Sequence, residues 1–459
     1  MNRRHLIKAA MASGVLAGLP VFGSVAHPVL RNRVLVDVML PGGPDFRHLM
    51  PPPFEPDTVG YHHWKVRASA HNISNAPAAW KRRWNQDYFH LSDGQTTFGL
   101  LKKAGWLKKM WDAGKVAIVN NVVGGTSRDH AHCQMIKNQG NLSAGTNDLG
   151  RPGWGGRLVS VAGGNVLALT PIPLSFCFGP DPQNPEGHSN ANVIAVANSR
   201  KIRLYHPPPG RENSYPGRLA RSLKAYYAAK RQEMAPNSIY RRFVDMEAQT
   251  RFFGEAIEQR LKTVPLPASI EGLFTKGSAN SLRSKQFGGQ IRNLYDSLVC
   301  SDIVDIRVAS MSFGGWDTHK NQRAHIEANL EDMFGIGKAF DTLFQELPAE
   351  VADKLVFLVG GEFGRQLKAN GDNGTDHGQG TSFLIIGNGV KGGVIGEMFP
   401  EGELDRLEKP SPDIRGLTEY DHIFGALCEW VSPGSSRFVF PNQAAAKLEK
   451  WVNLSRLFR

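Results

Sequence analysis

The 459 residues carry a formal net charge of +12, and the length suits one large α/β domain or two domains. The basic residues are scattered, as in Lys81-Arg82-Arg83, Lys102-Lys103 and Lys108-Lys109, without the interleaved aromatics of a nucleic-acid track. That excludes nucleic acid as a partner and leaves a field favouring anionic ones. Four cysteines (Cys133, Cys177, Cys300 and Cys428) lie far apart with no CxxC pair, which excludes a zinc knuckle. One or two disulfides and four buried thiols fit equally well.

In chain order, Arg3 and Arg4 precede a modest apolar run from Ala9 to Val25, with small residues at Ser24 and Ala26. This is the pattern of a twin-arginine export signal, residues 1–26, cut near Ala26. Gly14, Gly18, Pro20 and Gly23 break the run, which therefore does not span a membrane, and the mature chain is expected to have no integral membrane span. Removing the signal takes three cations from +12 and no acid, leaving +9. The expected partner before cleavage is the twin-arginine export machinery, and the expected location is the periplasm or another exported space.

Val34 to Leu40 reads as a central strand stopped at Pro41-Gly42-Gly43-Pro44. Asp37, in mid-strand, is left outside the site. The spacing of Leu100, Leu101, Leu107 and Trp111 predicts a helix over 98–111, and Val116 to Val123 a strand. Strand, helix, strand implies a parallel sheet with crossovers. Prolines and polar helical stretches such as Arg218 to Arg231 mark about 171–285 as an inserted cap rather than more core strands. Beyond it, strands are predicted over Ile306–Phe313, Leu355–Val359 and Ser382–Ile386. A helical stripe from Leu330 to Leu347 lies between the first two.

The chemistry gathers at these strand ends. Asp45, Asp317, His319 and Glu362 each follow one, and Asp376-His377 precedes the last strand. Open parallel sheets bind ligands beyond the carboxyl ends of their strands, and divalent metals need carboxylates and imidazoles converging from several segments. A metal site built from these six residues is expected, with Asp376 either a ligand or the partner of a ligand's second nitrogen. The metal is left open among zinc, manganese, magnesium and calcium.

The motifs Gly42-Gly43-Pro44-Asp45, Arg128-Asp129-His130, Gly315-Trp316-Asp317-Thr318-His319, Glu362-Phe363-Gly364-Arg365 and Gly374-Thr375-Asp376-His377-Gly378 resemble those of domain-of-unknown-function family 1501. The resemblance runs along nearly all of residues 27–459 and implies an alkaline phosphatase-like α/β fold, a mostly parallel central sheet between helical layers. It also implies two metals at the carboxyl edge, with Asp317, His319, Glu362 and His377 at ligand positions. Family members often carry Arg-Ser-His where Arg128, Asp129 and His130 stand, so Asp129 occupies the nucleophile position and His130 is the better-placed of the two nearby histidines. An aspartate there would instead ligate metal and leave attack to water. Thr126 and Ser127 are the nearby hydroxyls, expected as helix caps. Arg128 and Arg365 are candidates for gripping an anionic group, and the context of Cys133 is not that of a sulfatase nucleophile.

Two functions follow as expectations. One is a metal-dependent hydrolase of phosphate or sulfate esters, acting on an anionic small molecule or envelope substrate. The other is a non-catalytic, metal-binding envelope protein that keeps the hydrolase fold.

Overall fold

The structure is a computed structural model that describes residues 32–123, 127–140, 151–181, 184–189, 192–201, 213–235, 238–275, 281–410, 412–416, 418–441 and 452–459. The signal segment and Thr126 lie outside the described residues. Nine strands form one sheet: β1 (Val34–Met39), β2 (Val116–Val123), β3 (Asn165–Ala168), β4 (Val193–Ala195), β5 (Ile306–Ser312), β6 (Leu355–Gly360), β7 (Gly380–Ile386), β8 (Gly393–Ile395) and β9 (Thr418–Glu419). Their order is β8-β2-β7-β6-β1-β5-β3-β4, with β9 also paired to β2. Strand β7 runs antiparallel to both neighbours, β6 and β2, and every other pairing is parallel.

The central strands are continuous apolar runs because both faces of the sheet are covered. Val34, Val36 and Val38 of β1, with Leu355, Phe357 and Val359 of β6, face one core. That core is closed by α1 (Gly105–Asp112), α6 (Leu282–Val299), α7 (Gln322–Phe334) and α8 (Ala339–Glu346). Leu35, Val356 and Leu358 face the other, closed by α2 (His130–Gln139), α3 (Trp154–Ala162) and α9 (Tyr420–Val431). A mostly parallel sheet between two helical layers results.

Three expectations change. Thr97–Leu101 is a strand paired antiparallel with Tyr88–Ser92, and the helix begins only at Gly105. Asp93 turns this hairpin by accepting from the backbone of Gln95 and Thr96, so residues 97–101 pair as a strand instead of winding. The stripe from Leu330 to Leu347 is divided into α7 and α8. Gly337 sits there at φ +68°, and its N–H donates to Asp341 Oδ2 at the start of α8. The region from about residue 171 also contributes a strand, β4, to the edge of the sheet. Two long helices follow it, α4 (Tyr215–Glu233) and α5 (Ile239–Thr263). The four cysteines are buried free thiols. Among the described residues, no helix is long and apolar enough to cross a membrane.

Candidate metal centre

Parallel strands β1, β2, β5 and β6 all end on one edge, and antiparallel β7 begins there. The loops after β1, β5 and β6, the start of α2 after β2 and the loop before β7 therefore meet at that edge. Two glycines let them touch. A Cβ on Gly42, which sits at φ +114°, would lie 2.2 Å from the backbone nitrogen of Asp317. One on Gly374 would lie 2.2 Å from the carbonyl of His319. Gly42→Ala is thus expected to lower stability by about 1–3 kcal/mol, through the strained φ and the clash, and to weaken metal binding by shifting Asp317. Denaturant unfolding and metal titration of the variant check both.

Asp317 stands at the middle of the centre, its side chain 47% exposed. The Nε2 atoms of His377 and His319 lie 2.9 and 3.1 Å from its Oδ1, and 3.0 Å from each other. His130 Nε2 lies 3.6 Å from Asp317 Oδ2. One donor atom each from His130, Asp317 and His377 falls within 4.8 Å of the others, a grouping able to hold a metal ion.

The opposite nitrogens define what these rings present. His319 Nδ1 is 2.9 Å from Asp376 Oδ1, His377 Nδ1 is 2.9 Å from the Arg128 carbonyl, and His130 Nδ1 is 2.9 Å from Glu362 Oε1. A carboxylate or carbonyl oxygen only accepts, so each Nδ1 carries the hydrogen, and a ring in its neutral form turns a lone pair at Nε2 toward Asp317. Three such lone pairs facing one carboxylate repel unless a proton or a metal cation lies among them. Imidazoles fixed through their far nitrogen by carboxylate or carbonyl are the usual support of metal-ligating histidines. The residues fit a divalent cation. A hydrogen bond from His130 to Glu362 raises that imidazole's pKa, and burial lowers that of His377 despite the Asp317 contact. Burial pushes the Asp317 carboxyl up, but its contacts with His377, Arg365 and His319 outweigh it and hold it well below the usual range.

The other expected residues divide. Asp376 holds His319 and is itself held by Asn370 Nδ2 at 3.0 Å. Glu362 is fully buried behind His130. Its Oε1 accepts from the Gly42 N–H at 2.8 Å, and its Oε2 has no protein partner among the described residues. Asp45 is not brought to the centre. Its Oδ1 caps the short helix Phe46–Leu49 through His48 N–H, while Oδ2 takes Gln322 Nε2 at 2.7 Å and the buried guanidinium of Arg67. The carboxylate is spent on neighbours below the site, which the sequence position alone did not indicate.

Asp129 caps α2, accepting from His132 N–H at 2.8 Å, as its place before a helix allows. Ser127 Oγ in turn accepts from the Asp129 N–H at 3.2 Å. The Arg128 side chain pairs with Asp413, leaving its carbonyl to hold His377. Arg365 is 1% exposed and reaches the carbonyls of Gly42, Gly43, Trp316 and Thr375 as well as Asp317. It ties the loops together and offers no free fork to an anion. Asp413 and Asn370 were not anticipated; no strand end or motif marks them.

Fold and site together define a mixed α/β protein with a histidine–aspartate cluster at the carboxyl edge of a mostly parallel sheet. Residues 302–410 match the family described as protein of unknown function (DUF1501). That stretch contains Asp317, His319, Glu362, Asp376 and His377, while His130 and Asp45 lie outside it. No curated protein matches the chain.

Proposed function

We propose that this chain is an exported, metal-dependent hydrolase of phosphate or sulfate esters with an alkaline phosphatase-like fold. The observation that carries the reading is the convergence of three Nε2 atoms on Asp317, each ring held through Nδ1 by a protein oxygen. His319, His377 and Asp317 would hold the cation, with His130 as fourth donor and Glu362 and Asp376 orienting two of the rings. Nitrogen-rich donors favour zinc or a neighbouring transition metal over calcium or magnesium, which prefer oxygen. A cation so held supplies Lewis acidity toward an ester oxygen and eases ionisation of water. Asp129 serves as a helix cap, so water takes the place of a side-chain nucleophile. The +12 charge supports an anionic substrate, and Arg3-Arg4 with the following apolar run supports export of the folded chain.

One observation favours the second reading, a non-catalytic metal-binding envelope protein: both nearby arginines, Arg128 and Arg365, are already paired. The experiment is elemental analysis of the purified protein, followed by turnover of aryl phosphates and sulfates with zinc, manganese, magnesium or calcium added. The expected result is about one bound transition metal and hydrolysis that a chelator abolishes. Bound metal with no turnover selects the second reading, and absence of any bound metal rejects both.

A further inference from the structure

Helix α2 carries a polar stripe where a buried helix ordinarily shows an apolar one. His130, Gln134 and Lys137 are spaced i, i+4, i+7 and share a face. Each meets a carboxylate from the sheet side: His130 and Gln134 meet Glu362 Oε1 at 2.9 and 3.4 Å. Lys137 Nζ donates to both oxygens of Asp37, at 2.8 and 2.9 Å. Asp37 is in the middle of β1, opposite Ser310 and Leu358, and both Asp37 and Lys137 are fully buried.

We propose that the Asp37–Lys137 pair positions His130 by fixing the rotation and depth of α2 against the sheet, an inference that rests on the metal-centre reading above. Stability alone does not account for the pair, because well-packed apolar residues commonly replace a buried ion pair without loss. Registry does account for it. A 20° rotation would swing a side chain about 6 Å off the helix axis through roughly 2 Å. Ligand distances tolerate only about 0.2 Å. Lys137 lies two turns below His130, about 10.5 Å along the axis, and a two-oxygen contact in the core admits one rotation. Asp37 and Lys137 are thus positioning residues that act through His130.

The test compares cobalt binding by the wild-type chain, His130→Ala and the double variant Asp37→Leu/Lys137→Met, which removes both charges and keeps the branching at 37 and the unbranched chain at 137. Visible absorption of bound cobalt reports the ligand geometry, and thermal unfolding reports the fold separately. The expected result is a folded double variant that binds cobalt at least about tenfold more weakly, with an absorption spectrum moved toward that of His130→Ala. If it does not fold, Asp37→Asn/Lys137→Gln keeps a neutral hydrogen bond and is expected to show the same weakening. Wild-type affinity and spectrum in a folded double variant of either kind overturn the positioning role while leaving the metal centre standing. A wild-type chain that takes up no cobalt overturns the metal reading, and this inference with it.

Discussion

His377→Ala is expected to weaken divalent-metal binding about 100-fold or more, beyond the 10–100-fold cost of disturbing a ligand's outer partner, while the chain stays folded. His377 Nε2 is 2.9 Å from Asp317 Oδ1 and 3.0 Å from His319 Nε2, so its removal takes away one of the three closest donors. The ring is half-buried and its Nδ1 reaches only the Arg128 carbonyl, so little else depends on it. Asp45→Asn supplies the contrast. It leaves the Arg67 guanidinium buried without its carboxylate and is expected to lower stability by about 3–5 kcal/mol, with metal affinity within a few-fold of wild type. Competitive titration with a chromophoric chelator and urea unfolding separate the two quantities. Equal metal loss in both variants would mean that the cluster around Asp317 is not the binding site.

The readable parts were those in which local pattern and burial agree. β1, β5 and β6 announced themselves as apolar runs ending in glycine-rich turns because both of their faces are covered, and the acids beyond those turns fall on one edge once the strands are parallel. In the region 98–111 the apolar residues at 98, 100 and 101 suit either period, and only pairing with Tyr88–Ser92 chooses the strand. Asp45 shares the strand-end position of Asp317, yet Arg67, from another part of the chain, claims its carboxylate. Spacing cannot reveal a partner that only the tertiary fold supplies. Asp37, a mid-strand acid, is silent in the sequence for the same reason, since nothing local announces Lys137, one hundred residues away, as its partner.

Acidification is expected to destabilise the protein through three buried histidines. His48, His63 and His71 are fully buried, His48 stacks on His71 at 4.3 Å, and both nitrogens of His63 and His71 lack protein partners among the described residues. Burial is the first cause that lowers all three pKa values, and those of His63 and His71 fall well below the usual histidine range. For a group whose folded pKa is depressed, the unfolded chain binds more protons between the two pKa values. Stability is therefore level above about pH 6.5 and falls as the pH drops below it, by up to about 1.4 kcal/mol per unit for each histidine. His63 and His71, whose pKa values fall furthest, account for most of that loss. His48 adds less, because its contact with Glu327 opposes the effect of burial. Glu327, held down to about 2 by His48 and Arg83 against its own burial, contributes only below about pH 4.5. His130 works the other way. Its raised pKa adds stability below 6.5 that is lost as the pH rises through the folded value, but the ring is partly exposed and solvent screening reduces the effect. Urea unfolding of chelator-treated protein at pH 7.5, 6.5, 5.5 and 5.0 follows the histidines without the pH dependence of metal binding. The fall is expected in wild type and should be much shallower in His63→Leu/His71→Phe. Stability that stays constant down to pH 5.0, or an undiminished slope in that double variant, would show that these histidines do not govern the acid response.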